Sequence, residues 1–134
     1  MAKAYKGRHL EVTATNVRGE GAAVFDALGR ASVNVTASCM YGADEDTARF
    51  WLLPDDFDKA RKALRKAGYH VRTKHVVLVA MENKTGAFAD VLRRVADAGV
   101  DCMLSYASAA VKSAVLVVLT TSADARAIRA INRG

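Results

Sequence analysis

The apolar and polar positions along this chain fall into two matching series. Residues 76–81 are a near-continuous run of apolar or small side chains, which predicts a buried strand. The polar turn Glu82-Asn83-Lys84-Thr85-Gly86 follows. Phe88, Val91, Leu92 and Val95 then recur at helical spacing, opposite Asp90, Arg93, Arg94 and Asp97. Thr85 is the expected N-cap of that helix and Gly99 its expected stop. Strands over 100–108 and 114–120 and a final helix from 122 to about 131 complete this series, with Thr121 and Asp124 at capping-box spacing.

The earlier series reads the same way. Residues 8–15 alternate, with Leu10, Val12 and Ala14 on one face and Glu11, Thr13 and Thr15 on the other. A turn at 16–21 leads to a helix over 22–31 and a strand over 33–40. A loop at 41–46 and a strand over 49–53 come next. Asp55 or Asp56 caps a second helix ending near Ala67, and a strand over 69–74 runs straight into the later series. Residues 1–7 read as a basic tail.

A shift of 67 residues superposes the two series without a gap. It lays Asn16 on Asn83, Gly19 on Gly86, Val12 on Val79, Val24 on Val91 and Val33 on Val100. A chance match would not keep the turn and the buried helix positions in register together, so the chain is an internal duplication. Each series has the order β-α-β-β-α-β, the split βαβ arrangement. The expected fold is α+β: two ferredoxin-like repeats with antiparallel sheets and helices on one face, the second repeat lacking its last strand. The repeats are placed at 8–74 and 75–134, with no Gly, Ser or Pro linker between them. The missing strand leaves an edge to be covered, either by residues 3–6 or by a second chain.

Composition narrows the picture without changing it. Of the 134 residues half are hydrophobic and a quarter charged, which fits a globular chain. No apolar run reaches the roughly 20 residues of a membrane span, and the N-terminus lacks an apolar signal core, so a cytoplasmic protein without membrane contact is expected. Cys39 and Cys102 occupy non-equivalent repeat positions and are expected to be free thiols. The excess of 20 basic over 14 acidic side chains favours acidic partners only weakly. Lys59, Arg61, Lys62, Arg65 and Lys66 read as the solvated face of a helix, so no nucleic-acid partner is expected. His9, His70 and His75 have no metal-ligand spacing, and neither a metal nor a cofactor is expected. No catalytic constellation of side chains can be assembled from the sequence, which argues against an enzyme.

The strand, the Asn-Lys-Thr-Gly turn, the helix and Gly-Val-Asp at 99–101 together resemble the ACT domain, a ligand-binding regulatory module of amino-acid metabolism. The whole pattern, over about 8–131, resembles stand-alone proteins of two tandem ACT domains. The matching stretches are ENKTGAF at 82–88, AGVD at 98–101, and 49–53 leading into an acidic helix cap. Where the family has a proline before the turn glycine, this chain has Thr85 and Arg18. The resemblance implies side-by-side pairing of ACT units, with a small ligand, usually an amino acid, bound between a strand–helix turn and a neighbouring second strand.

The expected function is therefore a non-catalytic regulatory module for an amino acid, acting by ligand-dependent assembly or by contact with a metabolic enzyme. A scaffold of the same fold that has lost its ligand is the alternative. Free backbone N–H groups at a helix start suit a carboxylate. The candidate ligand residues in the second repeat are Asn83, Lys84, Thr85, Gly86, Ala87, Phe88 and Asp101. Those in the first are Asn16, Arg18, Gly19, Glu20, Gly21 and Asn34, where Gly21 is expected to leave room that Phe88 closes. The bland alternatives are that the asparagines close their turns, the glycines serve backbone geometry, and Asn34 and Asp101 are solvated. A homodimer, or packing between the repeats, is expected over the apolar outer face of the second repeat, around Leu78 and Val118.

Overall fold

Alternating side chains put Leu10 and Val12 on one face of the first strand, where they meet Phe50 and Leu52 from a partner strand. The computed structural model describes residues 2–110 and 112–133. It contains β1 (Lys3–Thr15), α1 (Glu20–Arg30), β2 (Val35–Gly42), β3 (Thr47–Pro54) and α2 (Phe57–Lys66). These are followed by β4 (His70–Glu82), α3 (Ala87–Asp97), β5 (Cys102–Ala107), β6 (Ala114–Thr121) and α4 (Asp124–Asn132). The architecture is the α+β tandem of ferredoxin-like repeats that the sequence predicts, with antiparallel strand pairing in both repeats.

The 67-residue shift is obeyed closely. Applied to β1 and α1 it gives the bounds of β4 and α3. The pairing Leu10 with Leu52 recurs as Val77 with Leu119. The bulge between Val35 and Ala37 recurs between Cys102 and Leu104.

The chain forms two compact units: residues 9–74, and His75 onward together with the stretch up to Arg8. In the first the strand order is β2-β3-β1-β4, and in the second it is β1-β4-β6-β5. The long strands β1 and β4 thus each serve both units. Residues 1–7 were expected as a tail, yet β1 begins at Lys3. Its opening residues supply the strand that the second repeat lacks. Ala4 is buried in the core of that unit with Val77, Val79, Val91 and Leu119. Its N–H donates to Asn132 Oδ1 at 2.7 Å, and its carbonyl accepts from Asn132 Nδ2 at 2.8 Å. A Cβ at Gly7 would stand 2.4 Å from Leu78 Cδ1, so the absence of a side chain lets that residue in.

Each unit has its own core under its helices. In residues 9–74, Leu10, Val12, Phe50 and Leu52 pack with Val24 and Leu28 of α1 and Ala60 and Leu64 of α2. Full burial of each Leu or Phe is worth roughly 1.5–3 kcal/mol. Asp56 caps α2 by accepting from Lys59 N at 3.0 Å. Thr85 does not cap α3: the N-cap is Gly86, at φ 83°, and no side chain closes it. Gly19 does the same for α1 at φ 88°. Only glycine adopts this left-handed conformation without strain, so the turn is bought with backbone freedom at the expense of a side-chain cap. Among the described residues no helix is long and apolar enough to cross a membrane.

Candidate ligand site

Gly19 and Gly86 start their helices without a side-chain cap; the Glu20 and Ala87 N–H groups donate to the Val17 and Lys84 carbonyls, and the rest of each first turn lies at the positive end of a dipole with no side-chain cap. Two kinds of hollow surround these turns.

The first kind occurs in both units. In the second, Asn83 and Phe88 line a hollow of about 240 Å³ with Ser105, Tyr106 and Ala107 of β5. In the first, Asn16, Glu20 and Gly21 line one of about 230 Å³ with Met40, Tyr41 and Gly42 of β2. The repeats trade a large residue for a small one here. Phe88 faces Ala107 in one hollow; at the equivalent positions, Gly21 faces Met40 in the other. A Cβ at Gly21 would lie 3.2 Å from Met40 Sδ, so the room expected there is partly taken by that methionine.

The second kind of hollow lies in the second unit. Lys84, Thr85, Gly86 and Ala87 line a space of about 290 Å³ with Ala2, Glu82, Asp90, Arg94 and Ile131. Lys84 Nζ lies 3.2 Å from Glu82 Oε2, and Arg94 Nε lies 3.0 Å from Asp90 Oδ2. The hydrogen bond from Lys84 holds the Glu82 carboxyl below its usual pKa. In the first repeat the positions of Ala2 and Ala87 are taken by Tyr69 and Glu20. There the Tyr69 hydroxyl donates to Glu20 Oε1 at 2.6 Å, which pushes the phenol up to about 12. A tyrosine and a glutamate thus stand in the first repeat where two alanines leave space in the second.

The predicted site residues are therefore divided. Asn83 and Phe88 face one hollow, and Lys84 to Ala87 face another. Arg18 and Gly19 line neither of the hollows described. Asn16 ties its turn to the loop between β2 and β3 instead of closing the turn locally: Nδ2 donates to Asp44 O at 3.0 Å, and its own N–H donates to Asp46 O at 3.0 Å. The equivalent Asn83 N–H donates to Ser113 O at 2.7 Å.

Asn34 and Asp101 are not brought to the turns of their own units. They precede β2 and β5, whereas the hollows lie at the far ends of those strands, about 20 Å away at 3.3 Å per residue. Asn34 N–H donates to Asp55 Oδ1 and Asp101 N–H to Ser122 Oγ, so both tie a strand start to the residues ahead of a helix. Sequence reasoning missed Ala2, Glu82, Asp90 and Arg94, and of these Ala2 carries a legible signal. The 67-residue shift extended to the chain start pairs Ala2 with Tyr69 and Ala87 with Glu20.

The structure resembles solved proteins over nearly its whole length. Protein BT0572 from Bacteroides thetaiotaomicron is 26% identical, with a TM-score of 0.85, over 96% of this chain and 88% of that one. The ligand-free regulatory subunit of aspartate kinase from Thermus thermophilus is 16% identical, with a TM-score of 0.66, over 97% and 95%. The fold is that of tandem ACT domains. A third neighbour is Escherichia coli aspartokinase III in complex with lysine and aspartate, which is 17% identical with a TM-score of 0.54. The match covers 96% of this chain and 31% of that enzyme. Neither a protein-family model nor a curated protein sequence matches the chain. In ACT terms, both hollows flank the turn between the first strand and first helix of each repeat.

Proposed function

We propose that this protein is a non-catalytic regulatory module that binds a free amino acid in the hollow lined by Ala2, Lys84–Ala87, Asp90 and Arg94. The observation that carries the reading is the asymmetry between the repeats: Tyr69 and Glu20 occupy in one what Ala2 and Ala87 leave empty in the other. The chemistry supports a zwitterion. Lys84 and the uncapped first turn of α3 suit a carboxylate, and Glu82 and Asp90 suit an ammonium. The space of about 290 Å³ accommodates a small ligand. The solved aspartokinase III of this fold was captured with lysine and aspartate, which supports an amino acid as the ligand class. Regulation would proceed through a metabolic enzyme whose contact with the module depends on the ligand.

The second reading is a scaffold without a ligand. It is favoured by the fact that Lys84 with Glu82 and Arg94 with Asp90 already satisfy one another. The deciding experiment is a thermal-shift and calorimetric screen of the twenty amino acids against the wild type and the double variant Ala2→Tyr with Ala87→Glu. A ligand at a hundredfold excess over its Kd stabilises the fold by about 2.7 kcal/mol. The double variant copies the filled arrangement of the first repeat, so it is expected to remain folded and to lose the signal. A flat screen favours the scaffold, and unchanged binding by the double variant places the site elsewhere.

A further inference from the structure

The two repeats differ in the surface between their helices. Between α1 and α2 of residues 9–74 runs a groove of about 550 Å³. Its floor is Ala27, Ala31, Ala63 and Ala67, and its rim is Arg30, Lys59, Lys62 and Lys66. No acidic side chain lines it, and none of the four cations takes part in a salt bridge among the described residues. The equivalent face of the other repeat is different in kind. Arg94 stands in place of Ala27, bonded to Asp90 and to the Arg133 carbonyl, and Asp97 replaces Arg30. Arg126 and Arg129 keep cations at the positions of Lys59 and Lys62, so that face is of mixed charge.

We infer that the groove between α1 and α2 is a docking site for an acidic helical segment of a partner protein. Alanine floors let a second backbone come close, and four unpaired cations around a shallow apolar channel are complementary to a helix with carboxylates beside a small-residue stripe. Lys59 and Lys66 are seven residues apart on α2, or about 10 Å at 1.5 Å per residue. Carboxylates spaced along a helix can engage both. Nucleic acid fits less well, since no aromatic side chain lines the groove to stack a base. The inference deepens the partner half of the reading above and does not depend on the ligand half.

The test uses the full chain with no amino acid present. A fluorescein-labelled helical peptide of glutamate and alanine, its glutamine counterpart and a labelled oligo-dT are titrated by fluorescence anisotropy. The glutamate peptide is expected to bind at least about tenfold more tightly than the glutamine peptide, with salt weakening it. Lys59→Glu with Lys62→Glu is expected to weaken it by about tenfold. This variant should fold, because a glutamate at position 59 lies in the first turn of α2 where the dipole favours it. Arg126→Glu with Arg129→Glu, the same change on the other repeat, is expected to alter binding less than about twofold if the groove is specific. The inference is overturned if the two peptides bind alike, if the Arg126/Arg129 variant loses as much as the Lys59/Lys62 variant, or if the glutamate peptide does not bind. Tighter binding of oligo-dT than of the glutamate peptide would assign the groove to nucleic acid instead.

Discussion

His9 is fully buried and stacks on Trp51 with ring centroids 4.7 Å apart. Nearby, Glu11 is also buried, with Lys74 Nζ at 3.5 Å and Arg49 Nε at 4.0 Å from its carboxylate, and Lys74 lies over the Trp51 ring. Burial is the main reason the His9 pKa falls from 6.5 to about 4; Glu11 opposes that fall and Lys74 adds to it. The sign follows from linkage. Above pH 6.5 the imidazole is neutral in both states and costs nothing. As pH drops from 6.5 towards 4 the unfolded chain takes up a proton that the folded one refuses, so stability is lost across that window. The full loss is on the order of 3 kcal/mol. His9→Phe keeps a ring against Trp51 and removes the titration. Urea unfolding at pH 7, 5.5 and 4 should show a shallower decline for this variant than for the wild type, whatever its stability at pH 7. An equal decline would mean that other groups carry the pH dependence. The sequence placed Glu11 on the face opposite Leu10 and Val12 and went no further, because alternation reveals which face a side chain takes but not what covers that face.

At the scale of elements, the register of the repeats was readable because apolar spacing and turn glycines survive duplication together. The opening strand was not. Residues 3–8 and 70–75 share one burial pattern, with a single buried residue, Ala4 or Val71, in each. One buried alanine among Lys3, Tyr5 and Lys6 leaves no period to detect, and the stretch reads as a tail. The caps show the opposite error: Thr85 has the right chemistry for an N-cap, but the helix starts one residue later on a left-handed glycine. Local preference lost there to the geometry of the turn. The joint between Ala4 and Asn132 is the element-scale prediction. Asn132→Ala leaves the Ala4 N–H and carbonyl without their partner, which costs about 1–3 kcal/mol when such groups stay partly buried. Hydrogen exchange should quicken at Ala4 in particular, while amides of β3 hold their protection. Unaltered exchange at Ala4 would show that this clasp adds nothing.

For the whole molecule, the sequence assigned the apolar residues Leu78 and Val118 to an outer face covered by a second copy or by packing between the repeats. Val118 is fully buried and Leu78 nearly so within the single chain, at 0% and 9% exposure. Their burial requires no second copy. Val118→Glu should therefore destabilise the chain itself, since an unpaired carboxylate in a dry site costs several kcal/mol. Its melting temperature should fall by the same amount at every protein concentration tested. A fall that disappears on dilution would return Val118 to an interface between copies, because only association carries a concentration dependence.

The swapped strand also sets an order of events during synthesis. A ribosome adding about 5–20 residues per second releases residues 3–8 many seconds before their neighbours in β4, and longer still before Asn132, 128 positions beyond Ala4. The portion made first must wait, exposed, for the portion made last. Residues 9–74 contain their own partners and can close while the rest is still being translated. The lysines flanking Ala4 then have a further use: they keep the waiting strand soluble and unattractive to other edges until its place is built.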